Sequence, residues 1–147
     1  MFRHILIATD GSDLAQKATA NGILLAKAVG ASVTAVTVFA PFHAYDVLPS
    51  AVMNDLPGAY AQYVEDVDAE ELLTSVSKMA KAHGVQCQVL QVEREQPHEA
   101  IIDAALREKC DLIVMASHGR RGLAAALLGS VTTNVLAHTT IPVLVYH

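Results

Sequence analysis

Short apolar runs alternate with longer stretches of helical periodicity along the chain. The first run, residues 5–8 (ILIA), predicts a buried strand. The polar residues 9–12 (TDGS) interrupt it, and Ser12 or Asp13 is suited to begin a helix as its N-cap. Gly30 follows the last apolar position of that helical pattern and predicts the C-terminus of the helix.

The middle of the chain predicts two strands separated by a long connection and a long helix. Residues 33–39 are rich in Val and Thr, as strands are. Residues 40–58 carry three prolines and predict a surface connection, whereas residues 59–83 repeat apolar side chains near a period of 3.6 and predict an amphipathic helix. Residues 85–92 alternate in polarity, which favours a strand at an edge of the sheet with one face wetter than the other.

The last third of the chain continues the alternation. Pro97 suits the first turn of a helix that runs over about residues 97–109. Residues 112–116 (LIVMA) are apolar throughout and predict a buried strand. A further helix is predicted from about residue 130 to residue 137, and residues 142–146 predict a C-terminal strand.

The resulting order is β-α-β-α-β-α-β-α-β. It predicts an α/β fold in which an open parallel sheet carries helices on both faces and the crossovers are right-handed. The mean hydropathy of +0.35 agrees with a sheet that is buried on both faces. One domain over residues 1–147 accounts for the whole pattern, because no linker or low-complexity segment interrupts it.

Charge and hydropathy exclude several classes of function. The chain has a net charge of −5, so it does not attract nucleic acid or anionic lipid non-specifically, and a phosphate ligand would have to be held by local geometry. No apolar run approaches the roughly 20 residues of a membrane span. Asp10 and Asp13 closely follow the first apolar run, which is unlike a signal peptide, and we expect a cytoplasmic protein.

The two cysteines and the histidines show no metal-binding spacing. Cys87 and Cys110 are far apart in sequence and lie in no CxxC motif, so we interpret them as free thiols in or near the core. The histidines show no HxxxH spacing on a helix, and no structural zinc is predicted. A divalent ion such as Mg²⁺ would arrive only together with phosphates.

The loop after the fourth strand is the first candidate site. Gly119, Gly122 and Gly129 permit close backbone approach, and Ser130 opens the next helix, whose first-turn N–H groups favour an anion. The loop has neither a Walker A motif nor a GxGxxG fingerprint. A glycine-rich turn followed by a serine cap explains the same residues without any ligand.

Asp10, Val38 and Met115 are further candidates at strand ends. In parallel α/β sheets, ligands bind beyond the carboxyl ends of the strands. Asp10 could accept hydrogen bonds from ribose hydroxyls or reach a phosphate-bound metal, or it could cap the following helix. Val38 and Met115 could enclose a flat base, although apolar residues at such positions are more often simply core.

Taken together, four segments resemble the universal stress protein family over the whole chain: residues 5–12 (ILIATDGS), 115–122 (MASHGRRG), 127–131 (LLGSV) and 141–145 (IPVLV). The resemblance implies a five-stranded parallel sheet of order 3-2-1-4-5 and a homodimer. The ATP-binding branch of the family carries the motif G-x2-G-x9-G-S/T. Gly119, Gly129 and Ser130 match this motif, and Ala116 stands at the position of its first glycine.

The resemblance also implies a role for individual residues toward ATP or AMP. Asp10 would hold the ribose, and Arg120 would reach toward the terminal phosphate. Residues 115–119 would pass beneath the ribose and α-phosphate, and residues 129–132 would take the phosphates. The full set implied to contact nucleotide is Ala8, Thr9, Asp10, Val38, Met115, Ala116, Ser117, His118, Gly119, Arg120, Gly129, Ser130, Val131 and Thr132.

Three functions remain open on the sequence. The first is a dimeric stress-response regulator that binds an adenine nucleotide. The second is an interaction module of the same fold without nucleotide, which Ala116 favours. The third is a slow ATPase, for which Asp10 and His118 are the available bases. In each case residues 142–146 would pair with their copy across a two-fold axis if this apolar strand lies at the sheet edge.

Overall fold

The computed structural model describes residues 1–40, 56–119 and 128–147, with side chains from residue 69 onward in the second range. Its strands and helices alternate as predicted. They are β1 (His4–Ala8), α1 (Asp13–Val29), β2 (Ser32–Phe39), α2 (Leu56–Ala82), β3 (Cys87–Glu93), α3 (Pro97–Arg107), β4 (Leu112–Ala116), α4 (Ser130–His138) and β5 (Val143–Tyr146).

The strands form one parallel sheet in the order β3-β2-β1-β4-β5, which confirms the fold class and the strand order. The central strand β1 pairs on one side with β2 and on the other with β4. Ala8 is level with Val36, and Ile7 is level with Val114. The carboxyl ends of β1, β2 and β4 therefore meet at one edge, although their residues are distant in sequence.

The core has two halves because successive side chains of each strand point to opposite faces of the sheet. Ile5 and Ile7 pack with Ile23 of α1 and Val76 of α2 on one face. On the other face, Leu6 and its neighbours pack against α3 and α4. The three consecutive residues Ile5, Leu6 and Ile7 have no exposed surface, which confirms that the apolar run is a strand buried on both faces.

The helix ends explain where the predicted boundaries shift. Ser12 is the N-cap of α1, since its Oγ accepts the N–H of Ala15 at 3.3 Å, and Gly30 (φ 72°) ends this helix as predicted. The third strand begins at Cys87 rather than at residue 85, because the N–H of Val85 donates to Ala80 O at 2.9 Å and still belongs to the end of α2. Helix α2 begins at Leu56, inside the predicted connection; residues 41–55 of that connection lie outside the described residues.

The position of β3 at a sheet edge and the free state of the two thiols agree with the predictions from the sequence. Strand β3 lies at one edge, as its alternating polarity predicts, and β5 lies at the other. Cys87 is half-buried, Cys110 is buried, and both are free. Burial raises the pKa of the Cys110 thiol to about 12, with a further contribution from the carboxylate of Glu108.

Over the described ranges, no helix has both the length and the hydropathy to cross a membrane.

Candidate functional site

The loop after β4 closely approaches Asp10, which follows β1. A Cβ atom placed on Gly119 would lie 2.5 Å from Asp10 Oδ2, a separation that real Cβ atoms do not show. A side chain at position 119 would therefore require the Asp10 carboxylate to shift, whereas glycine leaves it in place. The strand order makes the contact possible, because β1 and β4 are neighbours in the sheet.

The turn after β1 orients the Asp10 carboxylate. The N–H of Ser12 donates to Asp10 Oδ1 at 3.0 Å, and the N–H of Gly11 donates to Thr9 Oγ1 at 3.3 Å. Gly11 has φ 78°, a conformation that favours glycine. Asp10 thus shapes the turn, whereas Ser12 caps α1. Gly11 is absent from the predicted site, although the Asp-Gly pair is a common turn signal.

A second close approach joins β4 to the start of α4. The N–H of Gly129 donates to Ser117 O at 2.6 Å, and a Cβ on Gly129 would lie 3.2 Å from the same oxygen. Ser117 is also bonded to the neighbouring strand β5, since its N–H donates to Tyr146 O at 2.8 Å. The bond between Gly129 and Ser117 therefore places the first turn of α4 beside the residues that precede Gly119.

The first turn of α4 presents backbone donors at this place. The N–H of Thr133 donates to Gly129 O at 3.0 Å, which closes the first turn, and Gly129 provides no side-chain cap. The N–H groups of Ser130, Val131 and Thr132 precede this first helical bond. Together with the helix dipole, such groups favour an anion. Ser130 is exposed, so its hydroxyl is accessible as well.

The hydroxyls of Thr132 and Ser117 have structural partners. Thr132 is 2% exposed, and its Oγ1 donates to Ala116 O at 2.9 Å, so this hydroxyl fastens α4 to the end of β4. Of Thr132, only the backbone N–H remains for a ligand. Ser117 is also buried, and its Oγ lies 2.9 Å from Nδ1 of His118. Both side chains therefore have structural roles, and the nucleotide contacts implied for residues 115–119 and 129–132 stay predictions.

Ala116 occupies its position without backbone strain. In the part of the chain that the structure describes, Lys109 is the one non-glycine residue with positive φ, so the φ of Ala116 is negative. Its methyl group is buried among Ala15 and Ala18 of α1, with Tyr146 alongside. The Ala116 side chain therefore points toward α1. An alanine at this position does not need a positive φ, and its methyl group does not occupy the space where Asp10 and Gly119 meet.

The apolar candidates lie mostly in the core. Met115 and Ala8 are buried at 5% and 8% exposure in the cluster formed with α3 and α4, and Val38 packs against the same cluster while staying half-buried. Of these three residues, Val38 therefore has the most accessible apolar side chain. Thr9 is buried as well, and its N–H donates to Val36 O at 3.0 Å.

Two observations bound the chemistry of the site. Within the described ranges, no three side chains of His, Cys, Asp or Glu are grouped to hold a metal ion. Arg120, predicted to reach the terminal phosphate, lies outside the described residues, as do Arg121 and Gly122. What remains is an oriented carboxylate, a half-buried apolar surface and a helix N-terminus. These groups can bind a ligand that carries hydroxyls, a flat ring and phosphate.

Comparison with known proteins gives consistent matches over the whole chain. A model of the universal stress protein family matches residues 1–147. The universal stress protein MJ0531 of Methanocaldococcus jannaschii is 35% identical over 147 residues, which is 99% of this chain and 82% of the relative. A universal stress protein of Thermus aquaticus is 33% identical over 144 residues and is covered to 98% in both chains.

Solved structures agree with these matches. The structure of MJ0577, a universal stress protein of M. jannaschii, has a TM-score of 0.75 at 27% identity and covers 99% of this chain and 96% of its own. A universal stress protein in complex with cAMP has a TM-score of 0.71 at 25% identity, with 99% and 97% coverage.

Proposed function

The chain belongs to the universal stress protein family, and on this premise we propose that it is a stress-response regulator that binds an adenine nucleotide, ATP or AMP, at the carboxyl ends of β1, β2 and β4. The proposal includes a single domain over residues 1–147 and a cytoplasmic location. The complex of a 25% identical universal stress protein with cAMP supports an adenine nucleotide as the ligand.

The observation that carries the proposal is the closure of Gly129 onto Ser117. This hydrogen bond of 2.6 Å brings the first turn of α4 next to the backbone that follows β4, where Gly119 meets Asp10. Donors for phosphate and an acceptor for ribose hydroxyls therefore lie at one edge of the sheet. Local geometry supplies this site in a chain whose net charge of −5 would repel a polyphosphate.

Each part of the nucleotide has a counterpart in the site. Asp10 accepts hydrogen bonds from the ribose, and the adenine packs on Val38. The N–H groups at the start of α4 bind the phosphates, with Arg120 at the terminal one. Mg²⁺ would bind together with the phosphates.

Ala116 does not argue against this function. A glycine would be required there if the backbone had positive φ or if a methyl group filled the pocket. Instead φ is negative and the methyl group packs on Ala15 and Ala18 of α1. This observation removes the reason that Ala116 gave for preferring an interaction module of the same fold without nucleotide.

Isothermal titration with ATP and AMP tests the proposal. Asp10→Asn removes a charged acceptor of the ribose, and hydrogen bonds to charged groups contribute about 1.5–3 kcal/mol, so affinity should fall about 10- to 150-fold. Asp13→Asn is the matched control, because Asp13 is an exposed carboxylate in the first turn of α1. Gly119→Ala should also weaken binding, since its Cβ displaces the Asp10 carboxylate.

Two results would overturn nucleotide binding. One is the lack of heat with either nucleotide at millimolar concentration, together with purified protein that releases no adenine nucleotide on acid treatment. The other is an equal loss of affinity for Asp10→Asn and Asp13→Asn, which would place the ligand elsewhere.

The proposal also includes a homodimer through residues 142–146. Strand β5 is an edge strand, and its Leu144 is 40% exposed. Pairing of two such edges would satisfy backbone groups and cover this side chain. Sedimentation velocity should show a dimer that Leu144→Glu dissociates, whereas Leu106→Glu, at an exposed position of α3, leaves it intact. A wild-type monomer at micromolar concentration would contradict this part.

A further inference from the structure

Helices α1 and α2 end in the same six-residue pattern. Residues 26–31 read AKAVGA, and residues 80–85 read AKAHGV. In each, the glycine has positive φ (72° and 73°), and the next residue donates its N–H to the first alanine of the pattern, at 2.8 Å in α1 and 2.9 Å in α2. Each glycine N–H also donates to the lysine carbonyl. The two turns are therefore equivalent, and they lead into the neighbouring strands β2 and β3.

These caps leave the two lysine ammonium groups with no capping role. Lysines near a helix C-terminus often bind the last carbonyl groups. Here the backbone N–H groups of both turns bind those carbonyls instead. Lys27 and Lys81 are exposed, and a Cβ on Gly30 or Gly84 would meet nothing within 4 Å. The turns are thus open, with one cation beside each of them.

A groove runs along these turns at the amino ends of the strands. It consists of two adjoining cavities of about 430 and 410 Å³ that share residues 84–86. Arg3, Lys27 and Lys81 line it, with Ser32 and Ser77 as polar neighbours, and among the described residues no carboxylate lines it. We call it the basic groove. This group of three cations contrasts with the net charge of −5 of the whole chain.

Two carboxylates, Asp111 beside Arg3 and Glu108 of the same connection before β4, have other partners. Asp111 accepts the backbone N–H groups of Arg3 and His4 at 2.9–3.1 Å. Partial burial raises the pKa of Asp111. The hydrogen bonds from these donors and the charge of Arg3 lower the pKa by a larger amount, so it lies below the ordinary value. Glu108 accepts a hydrogen bond from the Gln88 amide. Arg3 is therefore partly compensated, and Lys27 and Lys81 supply most of the positive charge in the groove.

We propose that the basic groove docks an extended, acidic peptide segment of a partner protein. The groove is open and lined by flexible cations, which suits carboxylates spaced along a chain. The N–H groups of Gly30 and Gly84, which could have cradled a compact phosphate, are used in the helix caps. Three cations on a chain of net charge −5 are few for a nucleic acid. The groove lies at the opposite end of the sheet from Asp10, so docking does not depend on the proposed nucleotide site.

The test uses the chain of residues 1–147 and a fluorescein-labelled decapeptide of alternating Glu and Ser. Its anisotropy should rise on binding, and binding should weaken as salt increases from about 0.05 to 0.5 M. Lys27→Gln and Lys81→Gln should each lower affinity about 1.5- to 5-fold, and the double variant about the product of both. Lys17→Gln is the matched control, since Lys17 is an exposed lysine of α1 that does not line the groove.

Amide chemical shifts locate the binding. In ¹H–¹⁵N spectra, the peptide should shift the signals of Gly30, Gly84 and Gln86 and leave that of Gly129 in place. The proposal is overturned if the Gln-Ser version of the peptide binds equally well, if Lys17→Gln has the same effect as the groove variants, or if the shifted signals lie at Gly129. Equal or tighter binding of a 20-base-pair DNA would also overturn it.

Discussion

Gly22 is the position at which the packing of α1 can be tested most directly. It lies in the middle of this helix and is buried against the sheet. A Cβ atom there would lie 2.8 Å from Cδ1 of Ile7 and 3.3 Å from Cγ1 of Val114. Glycine therefore lets α1 approach β1 and β4, and Gly22→Ala forces either Ile7 or the helix to move.

Two opposing effects set the expected magnitude. Alanine is favoured over glycine inside a helix by about 1 kcal/mol. Overpacking a tight core costs about 1–3 kcal/mol. The free energy of unfolding of Gly22→Ala should therefore fall by about 0–2 kcal/mol, even though helix propensity alone predicts a gain. For a chain of this length, each kcal/mol corresponds to about 2–4 °C in Tm.

A double-mutant cycle separates the two effects. Ile7→Val removes Cδ1, the atom in closest contact, and by itself costs about 0.5–1.5 kcal/mol. In this background Gly22→Ala should become less destabilising or even stabilising, because the propensity gain remains while the main clash is gone. Urea unfolding of the four proteins gives the coupling energy, and Ala28→Gly at an exposed site of α1 calibrates the propensity term.

Additive effects of the two substitutions would refute this explanation. Residues in contact usually couple by at least 0.5 kcal/mol, whereas independent sites add within about 0.3–0.5 kcal/mol. If Gly22→Ala changes the free energy of unfolding equally with Ile or Val at position 7, the close approach of α1 to Ile7 does not limit this position. A Gly22→Ala single variant that is more stable than the wild type would refute it as well.

Three further predictions concern other local features. Lys109 has φ 55°, a left-handed conformation that costs a residue with a side chain about 1–2 kcal/mol. Lys109→Gly should therefore raise the free energy of unfolding, measured in urea, by about 0.5–1 kcal/mol, because the greater freedom of glycine in the unfolded state cancels part of the relief of strain. A lower free energy of unfolding would contradict this prediction. Ser12→Ala should lower Tm through the loss of about 1 kcal/mol of capping energy, and Ser12→Thr should retain most of it. Because the pKa of Asp111 is lowered from its ordinary value of 3.8, this carboxylate stabilises the fold above that pH, and the stabilisation is lost as the pH falls through the folded-state pKa. Asp111→Asn should therefore lower the free energy of unfolding at pH 7 and reduce its decrease on acidification. Parallel pH profiles of the free energy of unfolding for the two proteins would refute this.

The local elements could be read from the sequence because their signals are local. The ends of α1 follow from Ser12 and Gly30, and the apolar run 112–116 is a strand with those bounds. Two boundaries could not be read in this way. The start of β3 depends on the backbone bond of Val85 to α2, and the start of α2 at Leu56 falls within a stretch whose prolines predict a connection.

The candidate site likewise has features that the sequence predicts and features that depend on the tertiary structure. The sequence by itself determined which residues follow the strands, including Asp10 and the glycines after β4. Only the tertiary structure decided that Gly119 touches Asp10, that the Thr132 hydroxyl turns inward to Ala116 O, and that the methyl group of Ala116 packs on α1. The physical reason is that these contacts depend on which strands are neighbours and on which face each side chain points to. Both are set by pairing between segments about a hundred residues apart, such as Ile7 with Val114.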